Sequence, residues 1–141
     1  MSFTHGKDAI FKLDDSGGTL RTLTSYVDQV SGLPGARQFS EVTAMGDSGT
    51  KSIPGLQNVT FSIQGHFDST ATTGPNAVIA SLRTATATAT FEYGPEGSTT
   101  GKVKYTGECW LTEYTVDASV SDKVSFSATF QVDGTVTATT F

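Results

Sequence analysis

The side chains that most often carry out catalysis or bind metals are few in this sequence and stand far apart. There are two histidines, His5 and His66, and neither has a second ligand at the spacing of a metal site. Cys109 is the single cysteine, so neither an internal disulfide nor a site of several thiolates can form. It lies beside Trp110 in a strand-like segment, where a cysteine is expected to be a small buried hydrophobe.

Motifs for nucleophilic or phosphate chemistry are also missing. There is no G-x-S-x-G sequence, and Gly46-Asp47-Ser48-Gly49 lacks the spacing and the following Lys-Ser/Thr of a phosphate-binding loop. Asp14 and Asp15 could form half of a carboxylate pair, but Ser-Gly-Gly follows them, and this order is typical of a tight turn. The sequence therefore predicts no catalytic residue, no cofactor and no metal site, and a protein that is not an enzyme.

Composition predicts one β-rich domain spanning residues 1–141. Hydrophobic residues make up 36% and charged residues 16%, with 15 glycines and many threonines and serines. Such a composition suits β-strands that have one face in the core and one in solvent. The net charge of −5 disfavours nucleic-acid binding by charge attraction; a surface of the same sign as DNA is useful where DNA must pass without sticking. The N-terminal residues lack the apolar region of a signal peptide, and no run is long enough for a membrane anchor, so folding in a reducing cytoplasm is expected.

The elements that would position functional residues centre on a hairpin expected over residues 36–68. Its arms are Gln38 to Met45 and Asn58 to Phe67, and the polar segment from Met45 to Gly55 joins them as a long loop. The second arm alternates apolar and polar residues, as a half-buried strand does. Gly65 stands where an apolar side chain is expected, which indicates a bulge or a close backbone approach.

The remaining elements complete a mainly β fold with one helix. Strands are expected near Ala9–Leu13 and Leu20–Thr24, in the Thr/Ala alternation of 84–91, and over 102–105, 107–116 and 123–133. Gly134 is expected to end the last of these, and residues 135–141 form another possible strand. Pro75 to Arg83 is the one good helix, with Pro75 in its first turn. This order predicts a two-sheet β-sandwich or barrel with one short flanking α-helix.

The ordered set of segments resembles the major tail tube protein of long-tailed, siphovirus-type bacteriophages. The resemblance covers nearly the whole chain and rests on five pieces: Ala-Arg-x-Phe-x-Glu-Val-Thr (36–43), a Gly/Asp/Ser/Lys loop (46–52) before Pro54-Gly55-Leu56, an alternating strand (58–67), a single helix, and Val-Ser-Phe-Ser-Ala-Thr-Phe-Gln-Val-Asp-Gly (124–134).

That resemblance implies a structural virion protein that polymerises as stacked hexameric rings into a tail tube, the conduit for DNA passage into the host. It implies partners besides the chain itself: tape measure, tail terminator and distal tail proteins. DNA would pass through without specific binding. The protein would be made in the host cytoplasm and reside in the virion tail, and no additional immunoglobulin-like domain would follow the last strand.

Two groups of residues become candidates for these roles. Hypothetical contacts between rings fall in the loop Met45, Gly46, Asp47, Ser48, Gly49, Thr50, Lys51 and Ser52, where Asp47 and Lys51 could form ion pairs between rings or remain solvated. Hypothetical lumen-lining residues are the uncharged polar ones of two strands: Thr60, Ser62, Gln64, Ser125, Ser127, Thr129 and Gln131. Six chains of −5 each give a ring of −30, and an acidic lumen would repel phosphates.

Two alternatives stay open. One is a β-sandwich binding module, for example for carbohydrate, with Trp110, Tyr105 and Tyr114 as an aromatic platform. The other is the inner-tube protein of a contractile tail or injection system, which shares the tube architecture.

Overall fold

The computed structural model describes residues 3–141, in which nine strands and one α-helix follow one another. The strands are β1 (Ile10–Asp14), β2 (Leu20–Thr22), β3 (Val27–Ser31), β4 (Arg37–Glu41), β5 (Ser52–Gln57), β6 (Thr60–His66), β7 (Ala89–Gly94), β8 (Val103–Asp117) and β9 (Ser125–Thr140). Helix α1 (Pro75–Ser81) lies between β6 and β7, and 3-10 turns occupy Gly6–Asp8 and Leu82–Thr84.

Seven strands form one antiparallel sheet that curls around the core. The strand order is β2-β1-β7-β8-β9-β6-β3, and β4 and β5 form a separate two-stranded sheet. Phe61 of β6 lies 4.8 Å from Phe91 of β7 and 6.2 Å from Phe11 of β1, measured between ring centroids. Because β8 and β9 separate these strands in the sheet, its two ends must face each other across the core. The mainly β prediction is confirmed, with a large and a small sheet and one short helix.

The core is apolar throughout, and α1 covers part of it. Its buried residues include no polar or charged side chain within the described part of the chain. Gly74 caps the helix, Pro75 begins it as expected, and Val78 and Ile79 are fully buried. The amphipathic stripe in this short segment therefore predicted both the helix and its buried side.

The expected hairpin between the two arms of 36–68 is wrong. β4 pairs with β5, whose residues the sequence analysis placed mostly in the loop, and β6 pairs with β9 and β3 instead. The physical reason is burial: Phe61 pairs with Phe130 and Ile63 with Ala128, so β6 and β9 bury matching apolar faces. Every residue of β4 and β5 is exposed and offers β6 no such face.

Two other strand boundaries also differ from expectation. Gly134 does not end a strand: β9 continues to Thr140, and Gly134, with φ of 90°, lies where the β8–β9 register shifts between Thr106 and Glu108. A bulge thus absorbs the glycine that looked like a strand break. The Thr/Ala alternation of 84–91 becomes strand only from Ala89, the first residue to reach a partner on β8, Cys109.

The expected turn after β1 is built around Asp15. Asp15 Oδ1 accepts hydrogen bonds from the backbone N–H groups of Gly17 (2.9 Å) and Thr19 (3.0 Å), and Oδ2 accepts one from Arg21 Nε at 3.0 Å. These donors, the Thr19 N–H first, hold the pKa of Asp15 below its usual value of 3.8. The turn thereby directs β2 back along β1.

We expect Asp15→Asn to destabilise the fold by about 1 kcal/mol at pH 7. Because the folded-state pKa is depressed, this stabilisation is present above the unfolded pKa and is lost as pH falls through the folded one. Urea unfolding at pH 7 and at pH 2.5 checks this, and the gap between wild type and variant should close in acid. Glu41→Gln serves as the control, since Glu41 is exposed, pairs with the uncharged Ser52, and has no salt bridge within residues 3–141. An equal gap at both pH values would contradict the prediction.

Candidate assembly surfaces

The side chains with catalytic potential are dispersed or already engaged. His5 Nδ1 accepts a hydrogen bond from the Lys7 N–H at 3.1 Å, and His66 pairs with Ser125 at the end of β6. Cys109 is buried with its Sγ 3.3 Å from Ala89 O, and burial raises the pKa of its thiol. Across residues 3–141 no three His, Cys, Asp or Glu side chains meet as metal ligands, and no helix there could cross a bilayer. The candidate functional sites are therefore surfaces that could contact other molecules.

The seven residues predicted to line a lumen lie together on one face of the large sheet. Thr60 pairs with Gln131, Ser62 with Thr129, and Gln64 with Ser127, while Ser125 continues the row. Paired residues of neighbouring strands project from the same face, and here it is the face opposite the core. Thr60 Oγ1 donates to Gln131 Oε1 at 2.9 Å, and Gln131 Nε2 donates to Asn58 Oδ1 at 3.0 Å. We call this surface the polar face.

The sequence analysis missed the strands that widen the polar face on both sides. On β3, Gln29 and Ser31 pair with Gln64 and Ser62, and the Ser31 and Ser62 hydroxyls are 2.9 Å apart. On β8, the paired residues are Glu113 (with Thr129), Thr115 (with Ser127) and Asp117 (with Ser125). The alternation of Glu113, Thr115 and Asp117 is visible in the sequence. In the first half of β8, however, even-numbered residues such as Trp110 lie on the polar face, and a register shift after Leu111 places odd-numbered residues there instead.

The second surface is a two-stranded arm, β4 and β5 with the loop between them, that stands apart from the core. All its strand residues are exposed, including Phe39 (64%), Ile53 (52%) and Leu56 (82%). Phe39 pairs with Pro54, whereas Ile53 pairs with Ser40 and so points to the other face. Apolar side chains exposed on both faces of a small sheet indicate contacts with another molecule. We call residues 37–57 the arm.

The loop predicted to bridge rings forms the end of the arm, and its charges meet each other. Lys51 Nζ lies 3.1 Å from Asp47 Oδ1, and Asp47 Oδ2 accepts the Ala44 N–H at 2.7 Å. These bonds, the one from Ala44 first, lower the pKa of Asp47. Ser52 already belongs to β5, and Met45 is fully exposed at the end of the arm. The loop between the two strands thus comprises residues 42–51 instead of the expected segment from Met45 to Gly55.

Solved structures with the same fold come from tails and from tube complexes. The chain superposes on a chain in the tail of an empty gene transfer agent particle computed with C6 symmetry (TM-score 0.73, 18% identity, 97% of this chain and 99% of that one). It also superposes on the SPP1 tail tube (0.76, 12%, 99% and 80%) and on a chain of the PVC sheath–tube complex of an extracellular contractile injection system (0.67, 15%, 99% and 93%). The chain has the tail-tube fold. No protein-family model and no curated protein matches the sequence.

On the polar face, negative charges outnumber positive ones. Glu113 and Asp117 lie on β8. At the Ser125 end of the face, Asp28, Asp117 and Lys123 line one depression. No Lys or Arg occurs among the residues that form it between Thr60 and His66 or between Ser125 and Gln131. Such a surface offers many hydrogen bonds to water, and its one cation at the Ser125 end, Lys123, lies beside the carboxylates of Asp28 and Asp117.

The aromatic platform considered for a binding module does not form on the tail-tube fold. Tyr105 pairs with Tyr93 and Tyr114 with Ala128, on the core side of β8. Tyr114 is half-buried, and its hydroxyl donates to Asn76 Oδ1 at 3.0 Å. Trp110 pairs with Gln131 on the polar face, so it lies on the opposite side of the strand. The grouping of these three residues as a sugar-binding surface is therefore wrong.

Proposed function

We propose that this protein is a tail tube subunit: copies assemble into six-membered rings that stack into a hollow tube through which DNA leaves the virion. The observation that carries the proposal is the superposition of almost the whole chain on almost the whole of a chain in a tail with C6 symmetry, together with its superposition on the SPP1 tail tube. The role is structural, and the protein resides in the virion tail after synthesis in the host cytoplasm.

In this proposal the polar face lines the lumen. Its serine, threonine and glutamine side chains would hydrogen-bond water along the inner wall of the tube, and Glu113 and Asp117 add negative charge. DNA phosphates would be repelled rather than bound, so DNA slides without sequence-specific contact. The opposite face cannot serve, because it forms the buried core.

The arm links successive rings in this proposal. It is the part of the described chain with the most exposed apolar side chains, and Met45, Asp47 and Lys51 lie at its end. Burying Phe39, Ile53 and Leu56 against the next ring would remove their apolar surface from water. A tape measure protein inside the tube, and terminator and distal tail proteins at its two ends, complete the proposed set of partners.

The arm can be excised to test the proposal. The Asn58 N–H donates to Ala36 O at 3.3 Å, so the chain enters and leaves the arm at one point. Replacing residues 37–57 with an Asn-Gly turn should leave the core intact, because the arm contributes no buried residue. We expect wild type to form tubes of uniform diameter in negative-stain electron microscopy, and the excised variant to form none longer than single rings.

A milder variant separates apolar contact from arm length. Phe39→Ser with Leu56→Ser should reduce tube formation at least tenfold, whereas Gln38→Ser with Thr50→Ser, on the same exposed arm, should leave it unchanged. Tubes of normal length from the excised variant would remove the arm from the proposal. A wild-type protein that forms neither rings nor tubes, alone or with its terminator, would refute the tube function.

A contractile machine is the second candidate, since a sheath–tube complex has the same fold. Its tube must bind a sheath on its outer surface. Co-expression with the proteins encoded beside it, followed by purification of assembled tubes, distinguishes the two: a second ordered layer around the tube favours the contractile system.

A further inference from the structure

The exposed apolar side chains of the described residues gather mainly in two places. Eleven large hydrophobic residues are exposed, and three of them, Val116, Val120 and Val124, surround the turn that joins β8 to β9. We call residues 116–124 the valine turn. Five more of the eleven belong to the arm: Phe39, Val42, Met45, Ile53 and Leu56.

Local structure does not explain the valine turn. Val120 is fully exposed in a turn that is closed by a hydrogen bond from the Asp122 N–H to Ser119 O at 3.2 Å. Turns favour Gly, Pro, Asn, Asp and Ser, and the β-branched valine brings no such advantage. Val116 pairs with the buried Phe126 and so lies on the core side of β8, yet it is 44% exposed. The apolar side of the sheet is thus uncovered at this end, as it is at a contact surface.

The arm and the valine turn lie at opposite ends of β6. The arm ends at Gln57, just before β6 begins at Thr60. Just after β6 ends at His66, the Phe67 N–H donates to Val124 O at 3.1 Å. The seven residues of β6 span about 20 Å. A copy stacked along this direction therefore brings its valine turn towards the arm of its neighbour.

Charge favours the arm as the segment that approaches another copy. It contains two cations and two carboxylates and is neutral overall, with Arg37, Glu41, Asp47 and Lys51 as its charged residues. The whole net charge of −5 therefore lies outside the arm. The valine turn, with two aspartates and one lysine, contributes −1 of it. A neutral arm meets an acidic surface with little repulsion, whereas two acidic surfaces repel each other.

We propose that the arm of one copy binds the valine turn of a second copy, so that the exposed apolar side chains of both are buried together. Two different surfaces at opposite ends of one molecule form a heterologous contact, which repeats from copy to copy along a filament. Pairing of arm with arm would instead close with two copies. This inference rests on the proposed function and names the surface of the next ring that receives the arm.

Cross-linking between introduced cysteines tests the contact. Cys109 is the single native cysteine and is buried, so it does not compete. A disulfide forms only where two Cα atoms come within about 7 Å of each other. With Met45→Cys and Val120→Cys in one chain, each copy can join two neighbours. We expect oxidation by diamide to place at least half of the chains in a ladder of three or more copies on a non-reducing gel.

The controls use the same chemistry at other positions. Each single-cysteine variant should stay uncross-linked, because the proposed contact brings together two different residues. Met45→Cys with Leu20→Cys, at an exposed position on β2, should place less than one-tenth of the chains in the ladder.

Tube formation gives an independent measurement. Val120→Asp puts a carboxylate into the proposed apolar contact and should reduce the number of tubes in negative-stain electron microscopy at least tenfold. Val120→Ile keeps the apolar surface and should form tubes as wild type does. Because the Val120 side chain is exposed, the melting temperatures of both variants should lie within about 2 °C of wild type.

The outcomes separate this inference from the proposed function. Tubes without a ladder, dimers from either single-cysteine variant, or normal tubes of Val120→Asp overturn the inference and leave the function standing. A ladder from protein that forms open chains but never tubes supports the inference and counts against the function. A wild type that is monomeric at every concentration overturns both.

Discussion

Phe61→Ala is expected to lower the free energy of unfolding by about 3–5 kcal/mol. The Phe61 ring is 1% exposed and lies 5.0 Å from the Phe130 ring and 4.8 Å from the Phe91 ring, between centroids. Its removal leaves a cavity where the two ends of the curled sheet meet, and small domains have only about 5–15 kcal/mol in total. Urea unfolding of dilute, unassembled protein, followed by tryptophan fluorescence, measures the change.

Phe39→Ala is the matched control, because the same side chain is removed from an exposed position on the arm. We expect a change within about 0.5 kcal/mol in the unfolding of this variant, together with weaker tube formation. The pair thus separates folding from assembly. Equal destabilisation by the two substitutions would contradict the placement of Phe61 in the core and of Phe39 outside it.

Gly65→Ala is expected to destabilise the fold by about 3 kcal/mol through backbone collision. A Cβ at Gly65 would lie 2.0 Å from Tyr26 O and 2.9 Å from Val27 Cα, so β3 would have to move away from β6. The movement would break the 2.7 Å hydrogen bond from the His66 N–H to Tyr26 O and disturb the β3 edge of the polar face. Thermal unfolding should show the loss as a drop of more than 5 °C in Tm.

Gly49→Ala controls for the general effect of replacing glycine. A Cβ there meets nothing within 4 Å, and the residue does not adopt a positive φ. Its unfolding should match wild type within about 0.5 kcal/mol. If Gly65→Ala proved equally neutral, β3 would have to be free to shift, and the bulge between Val27 and Gln29 would not be fixed by contact with Gly65.

Both predictions depend on features that the sequence indicated locally. The alternation around Phe61 and Phe130 required strands with one buried face, and glycine in an apolar register predicted the close approach of a neighbouring chain at Gly65. The Pro75 helix and the Asp15 turn were likewise predictable, since each depends on contacts within a few residues.

Strand partners were not predictable in the same way. The sequence predicted that residues 58–67 pair with residues 38–45, because short connections usually join neighbouring strands. The structure pairs β6 with β9, whose paired residues are 59 to 71 positions further along the chain, and leaves β4 to pair with β5. Burial decided this: β9 presents Phe126, Ala128 and Phe130 as an apolar face, whereas every residue of β4 stays exposed.

The sequence by itself determined which side chains share a face, because successive side chains in a strand point to opposite sides of a sheet. This is why Thr60, Ser62 and Gln64 could be assigned to one surface before any strand was paired. Only the tertiary structure decided that β8 and β3 widen this surface, that the arm stands apart from the core, and that β9 continues beyond its pairing with β6. Those properties depend on pairings between distant segments, which are selected by total buried area and not by local sequence.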